Sequence, residues 1–183
     1  MKKVCLLLVL CFLVGCKEVS CEKIDYEASP LEESLLLSDD LYKDALMSDL
    51  NIDIEGFKVY QVSEVNHILF VKDDLVFQMP SGYLEDIYRL DSNGDDLDEL
   101  LTVSSIGSGL YIIQMAHFDP VTKEISVGHF YNNNDGISID ILDGKLVAYS
   151  EYSFGRASKA IGEISFKDKV EIEGMVDHLE KDH

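Results

Sequence analysis

The sequence predicts a mainly β domain: an antiparallel meander forming a sandwich, a barrel or propeller-like blades, preceded by a short N-terminal helical segment. Three observations predict it. From Gly56 onward apolar residues recur with period two in runs such as Phe57/Val59 and Ile68/Phe70, which puts alternate side chains on one sheet face. The runs are short and separated by acidic or glycine-bearing turns, so sequential strands pair with their neighbours. Finally, 183 residues with 46% hydrophobic and 27% charged composition suffice for the core of one domain.

The first element is an address. Met1-Lys2-Lys3 is a short basic start, and residues 4–14 form an unbroken apolar run. At roughly 11 residues the run is too short to cross a ~30 Å hydrocarbon core as a helix and fits the apolar region of a signal peptide. It ends in Leu13-Val14-Gly15-Cys16. This resembles the lipobox of bacterial lipoproteins. The resemblance implies cleavage after residue 15, diacylation of the Cys16 sulfur, and attachment to a cell-envelope membrane through that lipid. Each buried acyl methylene contributes ~0.8 kcal/mol, so two or three chains hold firmly. Lys17, where Asp would signal retention at the inner membrane, favours the outer membrane in a Gram-negative cell.

Residues 16–28 mix charges with few apolar positions and read as a lipidated tether, leaving residues 29–183 as one β-rich domain. Cys5 and Cys11 leave with the leader, Cys16 carries lipid, and Cys21 stays alone in the tether without a disulfide partner. Ser29-Pro30-Leu31-Glu32 carries an N-cap, a proline at the first helical position and an acid in the first turn. Leu31, Leu35, Leu36, Leu41, Ala45 and Leu46 follow at helical spacing.

Strands are then expected around Phe57/Val59, Ile68/Phe70, Val76, Ile87/Leu90, residues 110–118 and residues 125–131. Asp119-Pro120 turns one pair, and residues 132–136 form an Asn-rich loop. Residues 137–142 and 145–152 flank Asp143-Gly144, which suits a two-residue primed turn. Residues 160–166 and 170–176 complete a set of about nine or ten strands.

One internal stretch carries chemistry. In Asp91-Ser92-Asn93-Gly94-Asp95-Asp96-Leu97-Asp98-Glu99-Leu100, side-chain oxygens fall at relative positions 1, 3, 5 and 9. A tightly turning backbone aims such alternate side chains inward together with the carbonyl of position 7. Calcium takes about six to eight oxygens at 2.3–2.6 Å, and such a loop supplies most of them. The stretch is similar to the Asp-x-Asn-Gly-Asp-Gly-x-Asp-Glu-Leu loops of FG-GAP and VCBS repeats in extracellular β-propellers. That similarity implies a structural calcium held by Asp91, Asn93, Asp95, the Leu97 carbonyl and Glu99. Position 6, usually Gly because it needs positive φ, is Asp96 here, a residue that tolerates that region at modest cost. An EF-hand would need Glu at position 12, where Thr102 stands, and a helix where Leu101 and Val103 are strand-like.

Charge narrows the partners. Fifteen Lys+Arg against 35 Asp+Glu give −20, and loss of Lys2 and Lys3 with the leader takes it to −22. Clustered cations for nucleic-acid phosphates or anionic lipid are lacking. Of the acids, 21 lie between Glu22 and Glu99 against five Lys+Arg in the same span. His67, His117, His129, His178 and His183 show no metal-binding spacing, and His117 and His129 read as partly buried or rim residues. Gly107-Ser108-Gly109 lacks the outer residues of a nucleophile elbow and reads as a turn. The expectation is therefore a non-catalytic, membrane-anchored binding or structural module whose partner is an envelope protein or glycan. The alternative is an inhibitor of an extracytoplasmic lysozyme-like enzyme. Strand, acidic loop, strand and the run ending in Phe118-Asp119-Pro120 and Lys123 are loosely similar to periplasmic lysozyme-inhibitor-like proteins. In that reading the negative charge steers the chain to a cationic enzyme.

Overall fold

The computed structural model describes residues 20–31, 46–62, 67–106, 112–132, 135–151, 159–166 and 168–177. The leader, Cys16, most of the expected helix (32–45) and Gly107-Ser108-Gly109 lie outside them. The described residues are mainly β, in antiparallel sheets with no helix, hence with none long and apolar enough to cross a membrane.

Among the described residues, twelve strands run in three successive meanders. The first comprises β3 (Met47–Ile54), β4 (Phe57–Val62), β5 (His67–Lys72) and β6 (Leu75–Pro80). The second comprises β7 (Tyr83–Leu90), β8 (Glu99–Ile106), β9 (Ile112–Asp119) and β10 (Glu124–Tyr131). The third comprises β11 (Gly136–Leu142), β12 (Lys145–Glu151), β13 (Lys159–Phe166) and β14 (Val170–Ile172). Two short N-terminal strands, β1 (Cys21–Lys23) and β2 (Ser29–Pro30), extend the second and first meanders at one edge each.

Those two strands correct the expected tether and helix start. Cys21, Glu22 and Lys23 pair antiparallel with Leu90, Arg89 and Tyr88, and Asp91 N donates to Ser20 O at 3.0 Å. The β7 edge would otherwise leave a row of amides and carbonyls unpaired, and the incoming chain satisfies them. Ile24 and Tyr26, the sparse apolar residues of this stretch, pack on the core. Cys21 is half-buried against the core that holds Tyr88 and Leu90, and burial, reinforced by Glu22, pushes its thiol up to about 11. Ser29 and Pro30 pair with Asp49 and Ser48, and Leu31 N continues the pairing to Met47 O. Pro30 sits on an edge strand, where its missing N–H costs no internal ladder bond. The signals that suit a helix start suit this edge equally. The strand β3 was also unexpected, although Leu50, Ile52 and Ile54 alternate in it and are buried.

The sheets stack, with the second meander in the middle. Its face toward the first sheet contributes Ile87, Leu100, Ala116 and Phe118 to a core with Leu50, Ile54, Phe57, Val59, Ile68 and Phe70. Its other face contributes Tyr88, Leu101, Val103, Met115 and Phe130 to a core with Ile137, Ile139, Leu146, Ile164 and Ile172. Residues 99–104 of β8 are consequently buried at every position. Glu99, Thr102 and Ser104 share that burial with Leu100, Leu101 and Val103, so the strand shows neither alternation nor an unbroken apolar run.

The polar bonds that cross between layers are specific. Gln114 Nε2 donates to Pro80 O at 2.7 Å. Gly82 lets the chain pass from the first sheet to the second, because a Cβ there would lie 2.0 Å from Ser105 O. The buried Tyr88 hydroxyl donates to Ile139 O at 2.9 Å, tying the second sheet to the third. Burial, with Asp86 and Asp140 nearby, raises that phenol well above its ordinary value, so it remains a donor. Tyr88→Phe leaves the Ile139 carbonyl without this partner and is expected to cost about 1–2 kcal/mol in urea denaturation. An unchanged midpoint would show the bond contributes nothing.

All three meanders place their first and third turns at one end. Glu55-Gly56 joins β3 to β4 with both φ values positive, at 50° and 81°, and Asp143-Gly144 joins β11 to β12 at 51° and 76°. The latter is the primed turn the sequence predicts. Arg89 Nη2 donates to Asp53 O at 3.3 Å, and Asp98 N to Glu55 Oε1 at 3.3 Å, which aligns the turns of the first two sheets. Glu55, Asp73, Asp74, Asp95, Asp96 and Asp98 all fall at this end.

Candidate functional site

The candidate loop, residues 91–98, links β7 to β8 at the acidic end. Asp91 is buried at its start, where its carboxylate organises the turn. Oδ1 accepts Gly94 N at 2.7 Å and Asp95 N at 3.0 Å, while Oδ2 accepts Asp96 N at 3.1 Å. Asn93 Oδ1 accepts Asp95 N at 2.9 Å, and Asp95 Oδ1 accepts Leu97 N at 2.9 Å. Each is a short polar side chain bonding its own backbone two residues on, the local chemistry that makes Asn and Asp turn residues. Gly94 and Asp96 have φ of 78° and 69°. The position where the resemblance expects Gly therefore has the left-handed backbone that Gly would supply.

Glu99 stands apart from the exposed Asn93 and Asp95. It begins β8, is only 2% exposed, and uses Oε2 twice. Ser92 N donates to that oxygen at 3.1 Å, and His117 Nε2 lies 2.9 Å from it. His117 is itself buried, and its ring lies against Phe166 of the third sheet with centroids 4.8 Å apart. The histidine expected to be partly buried or at the rim is thus the buried partner of a predicted ligand. Its signal is positional: β8 pairs Leu101 with His117, so Glu99 and His117 are diagonal neighbours on one face. His129 is not adjacent; it pairs with Gln114, whose Oε1 lies 3.2 Å from its Nε2.

Beside the pair opens a recess of about 290 Å³ between the second and third sheets, lined by Asn93, Glu99, His117, Asp119, Glu124 and Asp168 among others. On the other flank, Asp98 Oδ2 lies 3.4 Å from Arg89 Nε. Burial raises the Asp98 carboxyl above its ordinary value, Arg89 opposes that, and Glu55, Glu22 and Asp91 add to it.

Oxygen donors on alternate positions and the left-handed Asp96 fit calcium in kind. The structure brings Asp91 and Glu99 to the base of the loop through Ser92, and places Asn93, Asp95 and Leu97 on its exposed rim. Among the described residues, no three His, Cys, Asp or Glu side chains converge into a metal-holding group. Among them, too, no hydroxyl or thiol is hydrogen-bonded to the His117 ring. Cys16 lies outside the described residues. Comparison with protein-family models, with curated proteins and with solved structures finds no significant match.

Proposed function

We propose that this chain is an extracytoplasmic lipoprotein, held to a cell-envelope membrane by lipid on Cys16. In this reading it is a non-catalytic binding or structural module whose 91–99 hairpin is braced by calcium. The observation that carries the reading is the Leu13-Val14-Gly15-Cys16 sequence behind a basic start and an apolar run. Support also comes from the β-rich domain beginning only a few residues later, as for a module presented from a surface. A propeller-like stacking of its three meanders accords with the resemblance of the loop.

Calcium would be held by Asp91, Asn93, Asp95, the Leu97 carbonyl and Glu99, and would neutralise acids that otherwise repel one another across the turn. The backbone is already curved around Asp91, which accepts three of its amides. The partner is an envelope protein or glycan, and the outer membrane is the site in a Gram-negative cell. A second reading, inhibition of a cationic lysozyme-like enzyme, draws on the acids gathered at the turn end.

Cys16→Ser tests the anchor. The wild type should sediment with membranes and enter the detergent phase on phase separation, whereas the variant should be recovered almost wholly in the soluble fraction. Retention of the variant on membranes would refute lipid attachment at Cys16.

A further inference from the structure

We propose that the acid-rich turn end is the membrane-proximal end of the domain, with the 91–98 loop beside the lipid headgroups and the Tyr83 end turned outward. The proposal rests on the lipid-anchored reading of Cys16. It follows from where the chain enters the fold and how little of it precedes that point. Ser20 O accepts Asp91 N, and β1 pairs Cys21 with Leu90, so the chain enters at the 91–98 loop. It then runs antiparallel to β7, away from that end.

Four Cα–Cα steps separate Cys16 from Ser20. Fully extended they span about 14 Å at most. The seven steps of β7 from Leu90 back to Tyr83 span about 23 Å at ~3.3 Å each. With Ser20 confined within 14 Å of the headgroups, an inverted domain would drive the Tyr83 end into the bilayer. Inversion is excluded by length alone.

Charge sets the character of the contact. The turn end carries Glu55, Asp73, Asp74, Asp95, Asp96 and Asp98 against Lys72, Lys123 and Lys145, so it is net negative and anionic headgroups repel it over a Debye length of about 8 Å at physiological salt. The domain is thus held close by its lipid and does not adsorb. The partner of this end is a lipid surface, and the end offered outward to other molecules carries residues such as Tyr83 and Lys159. This arrangement turns the acids away from a soluble cationic enzyme.

The test uses the full acylated chain, extracted from membranes and reconstituted into vesicles of one part phosphatidylglycerol to three parts phosphatidylethanolamine. In a Cys21→Ser background, a fluorophore is placed by Leu142→Cys or Val121→Cys at the turn end, and by Tyr83→Cys or Lys159→Cys at the other. Leu142, Val121 and Tyr83 are 51%, 52% and 70% exposed, and two positions per end guard against one that fails to fold. Quenching by nitroxide-labelled headgroups should be about threefold or more stronger at the turn end, given the ~23 Å separation. Inserting 20 Gly/Ser residues after Lys17, about 25 Å of root-mean-square reach, should erase the contrast. Equal or reversed quenching in chains that co-float with vesicles would overturn the proposal while leaving the anchor intact. A contrast that survives the longer tether would overturn it too. Failure of the wild type to co-float would remove the lipid-anchored reading and this proposal together.

Discussion

Phe118→Ala is expected to destabilise the domain by about 3–5 kcal/mol, the range for emptying a buried aromatic site. Phe118 lies on β9 with no exposed surface, where the first and second sheets meet. Its ring stacks on Phe70 at 4.0 Å and 22°, and Phe57 meets it edge-on at 5.4 Å and 83°. Phe77 lies 5.9 Å from it and 5.8 Å from Phe57, closing the cluster. Truncation removes three aromatic contacts at once and opens a void between two sheets whose backbones are each fixed by their own ladders, so the site cannot collapse to fill it. Urea denaturation followed by circular dichroism should show the loss as a lowered midpoint. A change below about 1 kcal/mol would mean that the two sheets are not packed through this cluster.

His117→Ala is expected to cost about 3 kcal/mol, because it leaves a buried carboxylate short of a partner. Among the described residues Glu99 would retain Ser92 N as its partner, and the 91–98 loop would lose its fixed base. The same denaturation experiment measures the cost, and proteolysis within 92–98 should accelerate. A double variant, Glu99→Leu with His117→Leu, separates the pair from its packing. Replacing both members by apolar groups should recover most of the loss, since no buried charge then lacks a partner. If the double variant is as unstable as the single one, the pair matters for shape and not for charge.

Much of the architecture was legible in the residues. Period-two runs located β4 to β7 and β9 to β14 because a half-buried strand must alternate, although β14 ends at Ile172 and not at residue 176, and Asp143-Gly144 marked its hairpin because few other residues accept two consecutive positive φ values. The N-terminal part was not legible for a physical reason. Cys21–Lys23 and Ser29–Pro30 are strands only because β7 and β3 offer them open edges, and such pairing leaves little periodicity in the sequence. The leucines before Met47 recur at helical spacing, and the Leu50, Ile52, Ile54 alternation of β3 follows them directly, so the two periods overlap in the sequence. At the loop, the residues predicted a tight turn and the resemblance implied positive φ at Asp96, which has it; that Asp91 organises the turn by accepting three backbone amides was not legible. Nor was Glu99–His117, whose members are 18 residues apart and meet only through the β8–β9 register.

Calcium titration of the intact, detergent-solubilised chain by scanning calorimetry tests the braced module most directly. With a dissociation constant of about 0.1–1 mM for an open extracellular loop, 5 mM calcium should stabilise the fold by about 1–2 kcal/mol. That corresponds to a rise in Tm of about 3–6 °C for a domain of this size. Asp95 is exposed, so Asp95→Ala should unfold near the wild-type temperature without calcium and show no rise with it. A wild-type Tm unmoved by 5 mM calcium, or an equal rise in Asp95→Ala, would contradict calcium binding at this loop.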